Sequence, residues 1–292
     1  MFIYKSHALS ESHFSHNFLR DELKPELFTQ HIHSSCELLL IVTCHGADYN
    51  IRGNVYPIGE YDLLLIPAQT YHFLMLKSYE KPYENYCINF DPALLDSQRL
   101  EQLFSAPYIY NIQNDTNIKR MFASLDYFDA TYAQQDFYEA ADNMLRNLLI
   151  DLSYKEKRSA QPHEIPSYVL VRHITAFIEN NLEKELNSEI IAKEMQFSKS
   201  YIQNTFASIM GIGIQTYINQ KKIYAARSDI QNGLTPVCAA NKYAYGDYSS
   251  FYRQFKKHLA ALPQKTANGD DAAVPIQKIP GRYHKTKNCP VV

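Results

Sequence analysis

The hydrophobic pattern changes along the chain, and each change indicates a different kind of structure. Between residues 32 and 90, short apolar runs are separated by turn residues such as His45-Gly46 and Arg52-Gly53-Asn54, which is typical of β-strands. We predict strands over residues 37–42, 48–52, 54–58, 62–66, 71–75 and 84–90. Several short strands at nearly regular spacing predict a small β-sandwich or barrel.

After Phe90 the apolar residues recur at a spacing of three to four, which predicts helices. Two consecutive amphipathic helices are expected over residues 117–132 and 136–153. Their apolar faces need a surface to cover, and either the β-domain or the same helices of a second subunit would provide it. A polar, charged stretch follows, and we place an interdomain linker at residues 159–167.

The C-terminal half is helical in pattern, and one arrangement occurs twice. A short helix, a tight turn and a second helix are predicted around Ser198 and again around Asp247, two residue types that cap helix N-termini. The second helices are expected over residues 199–210 and 248–259, and a long helix over residues 214–231 connects the two motifs. Both copies therefore have the form of a helix-turn-helix unit.

Charge divides the chain in nearly the same place. Residues 1–162 contain 13 Lys and Arg against 21 Asp and Glu, whereas residues 163–292 contain 16 against 10. A basic half suits a polyanion, because each neutralised phosphate releases a counterion. A merely solvated basic surface is the alternative, and the two helical motifs favour the polyanion.

The second helix of each motif carries a polar face opposite its apolar one. Gln203 and Asn204 have amides that can bond adenine, Arg253 can bond guanine, and Lys256 and Lys257 suit phosphate. The candidate DNA-binding residues are Lys199, Ser200, Gln203, Asn204, Tyr248, Ser249, Tyr252, Arg253, Lys256 and Lys257.

The N-terminal half contains one cluster with metal-ligand chemistry. On a strand, His31 and His33 project to the same face, and with Glu37 and the distant His72 they could bind a divalent metal. The alternative is that these side chains make hydrogen bonds that fix the mouth of the barrel, and the apolar surroundings of His72 favour it. We therefore expect no cofactor and place a small-molecule effector pocket at His31, His33, Glu37, Tyr49 and His72.

Residues 188–263 resemble the DNA-binding domain of the AraC/XylS family of bacterial transcription regulators, and the N-terminal half resembles that family's cupin-like effector domain. The resemblance rests on Ile191-Ala192, Met195, Ser198, Tyr201-Ile202, Phe206, Gly211, Tyr217-Ile218, Lys222-Ile223, Ala226-Arg227, Ala239-Ala240 and Phe251-x-Arg253-x-Phe255-Lys256-Lys257. It implies that both motifs enter successive major grooves, with base-contact positions at Ser200, Gln203, Asn204, Tyr248, Ser249 and Arg253.

The chain departs from the family pattern at several turns. Gln196 and Ala244 stand where the two helix-turn-helix turns usually have glycine, and Gln69 stands at a usual glycine of the cupin motif. Each of these turns must adopt a backbone that glycine reaches more cheaply. Asn204 replaces a frequent Arg, and the usual family ending is eroded over residues 260–266.

These observations predict an α+β protein of two domains. Residues 1–158 form a cupin-like β-barrel with appended helices, residues 168–266 form an all-α pair of helix-turn-helix motifs, and residues 267–292 are a disordered tail. No signal peptide or membrane span is recognisable, so a cytoplasmic location is expected.

The expected function is a dimeric, sequence-specific transcription regulator that is not an enzyme. Its partners would be double-stranded DNA, RNA polymerase, a second copy and a small-molecule effector, for which sugars are a common class among similar proteins. Two alternatives stay open: a metal-dependent cupin enzyme fused to a DNA-binding module, and an effector-free regulator whose barrel only mediates dimerisation.

Overall fold

The computed structural model describes residues 2–8, 12–19, 30–77 and 82–259, so the predicted tail lies outside the described residues. The chain divides into two compact units, residues 1–172 and 173–292. The predicted linker at residues 159–167 belongs to the first unit by this division. Within it, the His163 N–H donates to the Val55 carbonyl at 2.7 Å, and the His163 ring lies 3.0 Å from Asp48 Oδ1.

The first unit contains two antiparallel sheets. The strands are β1 Phe2–Ala8, β2 Ser12–Leu19, β3 Cys36–Thr43, β4 Ala47–Ile51, β5 Asn54–Ile58, β6 Asp62–Ile66, β7 His72–Leu76, β8 Tyr83–Phe90 and β9 Ile109–Asn111. One sheet has the order β1-β2-β8-β3-β6-β9 and the other β5-β4-β7. The predicted fold class is confirmed, and the strands described pair as two sheets rather than as one closed ring.

Both faces of the six-stranded sheet are buried, which explains its long apolar runs. Along β3, Leu38 and Leu40 pack in the core that includes the following helices, whereas Leu39 and Ile41 pack in the core shared with the three-stranded sheet. Strand side chains alternate between faces, so a strand buried on both sides must be apolar at every position. Glu37, at the start of this run, is therefore the exception that needs an explanation.

Three helices cover one face of the six-stranded sheet: α1 Ser97–Phe104, α2 Thr116–Thr131 and α3 Gln134–Ser153. Phe122 of α2 and Leu145 and Leu148 of α3 are fully buried in the same core as Leu38 of β3. The apolar faces of these helices therefore pack against the sheet of their own chain. Of the two surfaces considered from the sequence, this is the β-domain rather than a second subunit.

The second unit is helical. Its elements are α4 Pro166–Glu179, which begins before the division between units, α5 Ser188–Met195, α6 Lys199–Met210, α7 Ile214–Gln231, α8 Pro236–Lys242 and α9 Tyr248–Leu259. Helix α7 packs against α6 and also against α8 and α9, so it supports both motifs. Ile202, Phe206 and Met210 form the buried face of α6. Within the described residues, no helix combines the length and the apolar character that crossing a membrane requires.

Candidate DNA-binding surface and effector site

The first helix-turn-helix motif consists of α5, a three-residue turn and α6. Asn187 caps α5 by accepting hydrogen bonds from the N–H groups of Glu189 and Ile190, and α5 ends at Gln196 with φ 59° and ψ 35°. Ser198 then caps α6 by accepting a hydrogen bond from the Tyr201 N–H at 3.2 Å. The left-handed residue reverses the chain and the serine starts the next helix, as predicted from the sequence.

The polar face of α6 is exposed to solvent. Ser200, Gln203 and Asn204 all lie on it, whereas Ile202 and Phe206 point into the core. Two of the candidate side chains are engaged with α5: Gln203 Nε2 donates to Ser188 Oγ at 3.3 Å, and Lys199 Nζ lies 2.7 Å from Glu189 Oε1. The Lys199 ammonium holds the pKa of the exposed Glu189 carboxyl below its usual value.

The second motif repeats this construction with α8 and α9. The turn contains Ala244 at φ 54°, and Asp247 caps α9 by accepting from the Ser250 N–H at 2.7 Å. This hydrogen bond and a second from the Ser250 hydroxyl are the leading causes that lower the pKa of Asp247. The cap therefore stays ionised and favourable to the N-terminal end of α9.

The exposed face of α9 is more basic than that of α6. Arg253, Lys256 and Lys257 are exposed, and Arg253 Nη2 donates to Ser250 Oγ at 3.1 Å. Tyr248 and Tyr252 are half-buried, and Tyr248 lies against Phe251 with ring centroids 5.9 Å apart. Ser249 is exposed beside them. The structure thus places all ten candidate residues on α6 or α9, and adds Ser250, which orients Arg253.

Helix α7 holds each motif through buried polar groups as well as apolar ones. Lys222 Nζ donates to the carbonyls of Lys184 and Tyr243, at 2.7 and 2.8 Å, and burial lowers the pKa of this lysine. Tyr217 packs edge-on against Phe206 of α6, with ring centroids 5.5 Å apart, and its hydroxyl donates to Glu179 at 3.0 Å. The turn of the second motif is therefore anchored to α7 through the carbonyl of Tyr243.

In the first unit, the predicted effector residues meet between the two sheets. His31 pairs with His72 as an antiparallel bridge, which brings the segment before β3 alongside β7. Glu37 on β3 lies 3.0 Å from His33 Nε2 and 3.4 Å from His72 Nε2 through the same carboxylate oxygen. Tyr49 on β4 is buried and stacks on the His72 ring at 6.2 Å.

The surroundings of His72 differ from the sequence-based expectation. They were expected to be apolar, but the rings of His31 and His33 lie 4.2 and 4.9 Å from the His72 ring, and Glu37 faces it. The reason is long-range strand pairing, because the bridge from His31 to His72 joins segments far apart in sequence. We name His31, His33, Glu37 and His72 the histidine-glutamate cluster.

Asn89 is a further residue of this site that the sequence did not indicate. It lies directly across from Glu37 in the pairing of β3 with β8, and its Nδ2 donates to Glu37 Oε2 at 3.1 Å. Burial alone would raise the pKa of Glu37, but the electrostatic attraction of His72 and the hydrogen bond with His33 outweigh burial and hold the pKa well below its usual value. The cluster therefore contains a buried, ionised carboxylate.

Comparison with known proteins agrees with both halves of this structure. A family model described as an AraC-like ligand binding domain matches residues 20–164, and a helix-turn-helix domain model matches residues 191–269. The transcriptional activator AarP of Providencia stuartii is 30% identical over 115 residues, which are 39% of this chain and 82% of AarP. The chain belongs to the AraC family. It is a DNA-binding transcription regulator with an N-terminal ligand-binding domain.

Other relatives are regulators of the same family. The regulatory protein SoxS of Escherichia coli K12 is 23% identical over 95 residues, which cover 32% of this chain and 89% of SoxS. Among solved structures, fatty-acid-bound ToxT from Vibrio cholerae has 13% identity and a TM-score of 0.35, with 88% of this chain and 95% of that chain covered. That likeness is too low to support an inference about the ligand of this AraC-family member.

Proposed function

We propose that α6 and α9 are the two DNA-reading helices and that the ten candidate residues on them contact DNA. The observation that carries the proposal is their shared construction: each follows a left-handed turn residue, begins at a side-chain cap and presents an exposed polar face. A helix that presents Gln, Asn, Arg and Ser on one exposed face has the donors and acceptors that major-groove base edges recognise.

The two helices have different roles in this proposal. Gln203 and Asn204 on α6 read bases, and Gln203 exchanges its contact with Ser188 for one with a base. Arg253 on α9 reads guanine, while Lys256 and Lys257 bind phosphates. Lys199 is paired with Glu189, so α6 contributes less net positive charge than α9.

We further propose that a small molecule bound in the N-terminal domain regulates DNA binding, with its site at the histidine-glutamate cluster and Tyr49. A ligand can do so only if it binds the DNA-competent and incompetent states with different affinity.

Homodimerisation is part of the proposal, and the exposed Tyr127, Tyr132 and Tyr154 of the helical layer offer a surface for it. The name of AarP as an activator favours contact with RNA polymerase. Because the relatives are regulators, we propose no enzymatic activity.

The test is DNA binding by the full chain to a site selected from a random duplex library. Wild type is expected to prefer this site over a scrambled duplex, with an affinity that falls steeply with salt. Arg253→Ala should lose about 1–3 kcal/mol of discrimination at one base pair. Arg146→Ala, an exposed arginine on α3, is the matched control and should bind like wild type. Equal affinity of wild type for both duplexes would refute the proposal.

A further inference from the structure

The histidine-glutamate cluster brings together four side chains that each offer one metal-binding atom. These atoms all lie within 4.8 Å of one another. Ligands that surround one ion tetrahedrally at about 2.1 Å lie about 3.4 Å apart, so the widest pair would have to close by about 1 Å, which side-chain rotation can supply. Two of the residues, Glu37 and His72, are buried, while His31 is exposed and gives the site a path to solvent.

The hydrogen bonds of the two inner histidines orient their rings toward Glu37. His72 Nδ1 lies 2.8 Å from the Thr70 carbonyl, and His33 Nδ1 lies 2.9 Å from the Ser35 carbonyl. A carbonyl only accepts hydrogen bonds, so His72 Nδ1 donates to Thr70 and Nε2 is the ring atom that faces the cluster. His33 Nδ1 also lies 3.0 Å from the Ser35 hydroxyl, and its Nε2 faces Glu37. Histidine ligands of metals commonly donate the other ring N–H to a backbone carbonyl in this way.

Both Nε2 atoms face the same carboxylate oxygen of Glu37. His72 Nε2 is fully buried and makes no hydrogen bond, although Glu37 Oε2 lies 3.4 Å away. His33 Nε2 lies 3.0 Å from the same oxygen. A buried polar atom without a partner is costly, and a metal ion bound by His72 Nε2 would supply that partner.

We propose that His31, His33, Glu37 and His72 bind one divalent first-row transition metal ion. Three imidazoles and one carboxylate suit such an ion, whereas calcium and magnesium prefer oxygen ligands alone. Asn89 holds Glu37 in place by its hydrogen bond to Oε2, and Tyr49 packs against His72. The metal site itself does not depend on the proposed function. Only its role does: because we place the effector site at this cluster, the bound ion is either the effector or a ligand of the effector.

The test measures metal content of the tag-free, full-length protein. Protein stripped with a chelator is dialysed separately against Mn²⁺, Fe²⁺, Co²⁺, Ni²⁺ and Zn²⁺, desalted and analysed by mass spectrometry, and Kd is measured by chelator competition. Wild type is expected to hold about one ion per chain of at least one metal. His33→Ala and His31→Ala should weaken binding by about 100-fold or more, since even outer-shell changes cost 10–100-fold.

His45→Ala is the matched control, because His45 is an exposed histidine of the same domain outside the cluster. It should bind metal like wild type. Circular dichroism of each variant checks that the fold is kept, and a change in the visible spectrum of bound Co²⁺ in His33→Ala reports the ligand directly. Less than about a tenth of an ion per chain for every metal, or equal Kd in His33→Ala and His45→Ala, would overturn the proposal. DNA binding of the metal-free protein is measured separately, so that failure of the metal-site proposal can be distinguished from failure of the DNA-binding proposal.

Discussion

Two residues in the turns of the DNA-binding motifs adopt a backbone that side chains resist. Gln196 has φ 59° and Ala244 has φ 54°, both in the left-handed region. For an L-residue this conformation costs about 1–2 kcal/mol, because Cβ approaches the following carbonyl oxygen. The cost is tolerated because the turns are held from both sides: the N–H of Ala244 donates to Asn241, and the carbonyl of Tyr243 is bound by buried Lys222.

Ala244→Gly is therefore expected to stabilise the C-terminal unit. Removing Cβ relieves the left-handed strain, and after the extra entropy of glycine in the unfolded chain the free energy of unfolding should rise by about 0.5–1 kcal/mol. Urea unfolding followed by circular dichroism measures it. Ala207→Gly on α6 is the matched control: it makes the same chemical change within a helix and should lower stability by about 1 kcal/mol. A decrease in both variants would contradict the account of the turn.

The role of an individual residue was predictable where it depends only on residues close to it in the sequence. The caps Ser198 and Asp247 and the strained turns at Gln196 and Ala244 are confirmed, since each depends on neighbours within a few positions. Asn89 was not predictable, because its role depends on the register that sets it across from Glu37. The roles of the ten DNA-binding candidates and of the effector residues stay predictions.

At the scale of elements, one side chain ties the strand β2 to its neighbours. His16 lies 2.9 Å from Glu84 on β8 and 2.9 Å from Asp126 on α2, and its ring stacks on Tyr86 at 3.9 Å. Burial lowers the pKa of this histidine, but the hydrogen bonds and charges of Asp126 and Glu84 outweigh burial and raise the pKa above 6.5. The protonated ring thus links the sheet to the helical layer.

The raised pKa predicts how stability depends on pH. Because His16 binds its proton more tightly in the folded protein, its contribution is full below the unfolded-state pKa and is lost as pH rises through the folded-state pKa. The stability difference between wild type and His16→Gln should therefore be full below about pH 6.5 and shrink as the pH rises through the raised folded-state pKa. Thermal unfolding across this range measures it. In an Asp126→Asn background the pH-dependent part should be smaller, and an unchanged or growing difference would contradict the assignment.

The strands β1 and β2 show what the sequence could not reveal about elements. Residues 12–19 read Ser-His-Phe-Ser-His-Asn-Phe-Leu, with none of the β-branched residues that favour strands. Their position is set by pairing with β8, more than sixty residues later, with Phe14 buried beneath. The short β9 was missed for the same reason, because it is placed by pairing with β6. The predicted bounds of α6, α7 and α9 match the structure because helical contacts are local.

At the scale of the whole molecule, the two halves of opposite charge correspond to the two domains of the family. The acidic half contains the ligand-binding domain, and the basic half contains the helix-turn-helix domain. Within the basic half, the exposed charge is uneven. α9 ends in Lys256, Lys257 and His258, while the lysine of α6 is paired with Glu189. We therefore expect α9 to supply more of the electrostatic anchoring and α6 more of the base recognition.

The most direct test compares Gln203→Ala with Lys256→Ala in binding to the selected site and to a scrambled duplex over a series of salt concentrations. Lys256→Ala should weaken both complexes alike and reduce the slope of log affinity against log salt by about 0.9. Gln203→Ala should weaken only the selected site, by about 1–3 kcal/mol, with the slope unchanged. If the two variants lose the same affinity on both duplexes with the same slope, α6 and α9 do not divide recognition and anchoring between them.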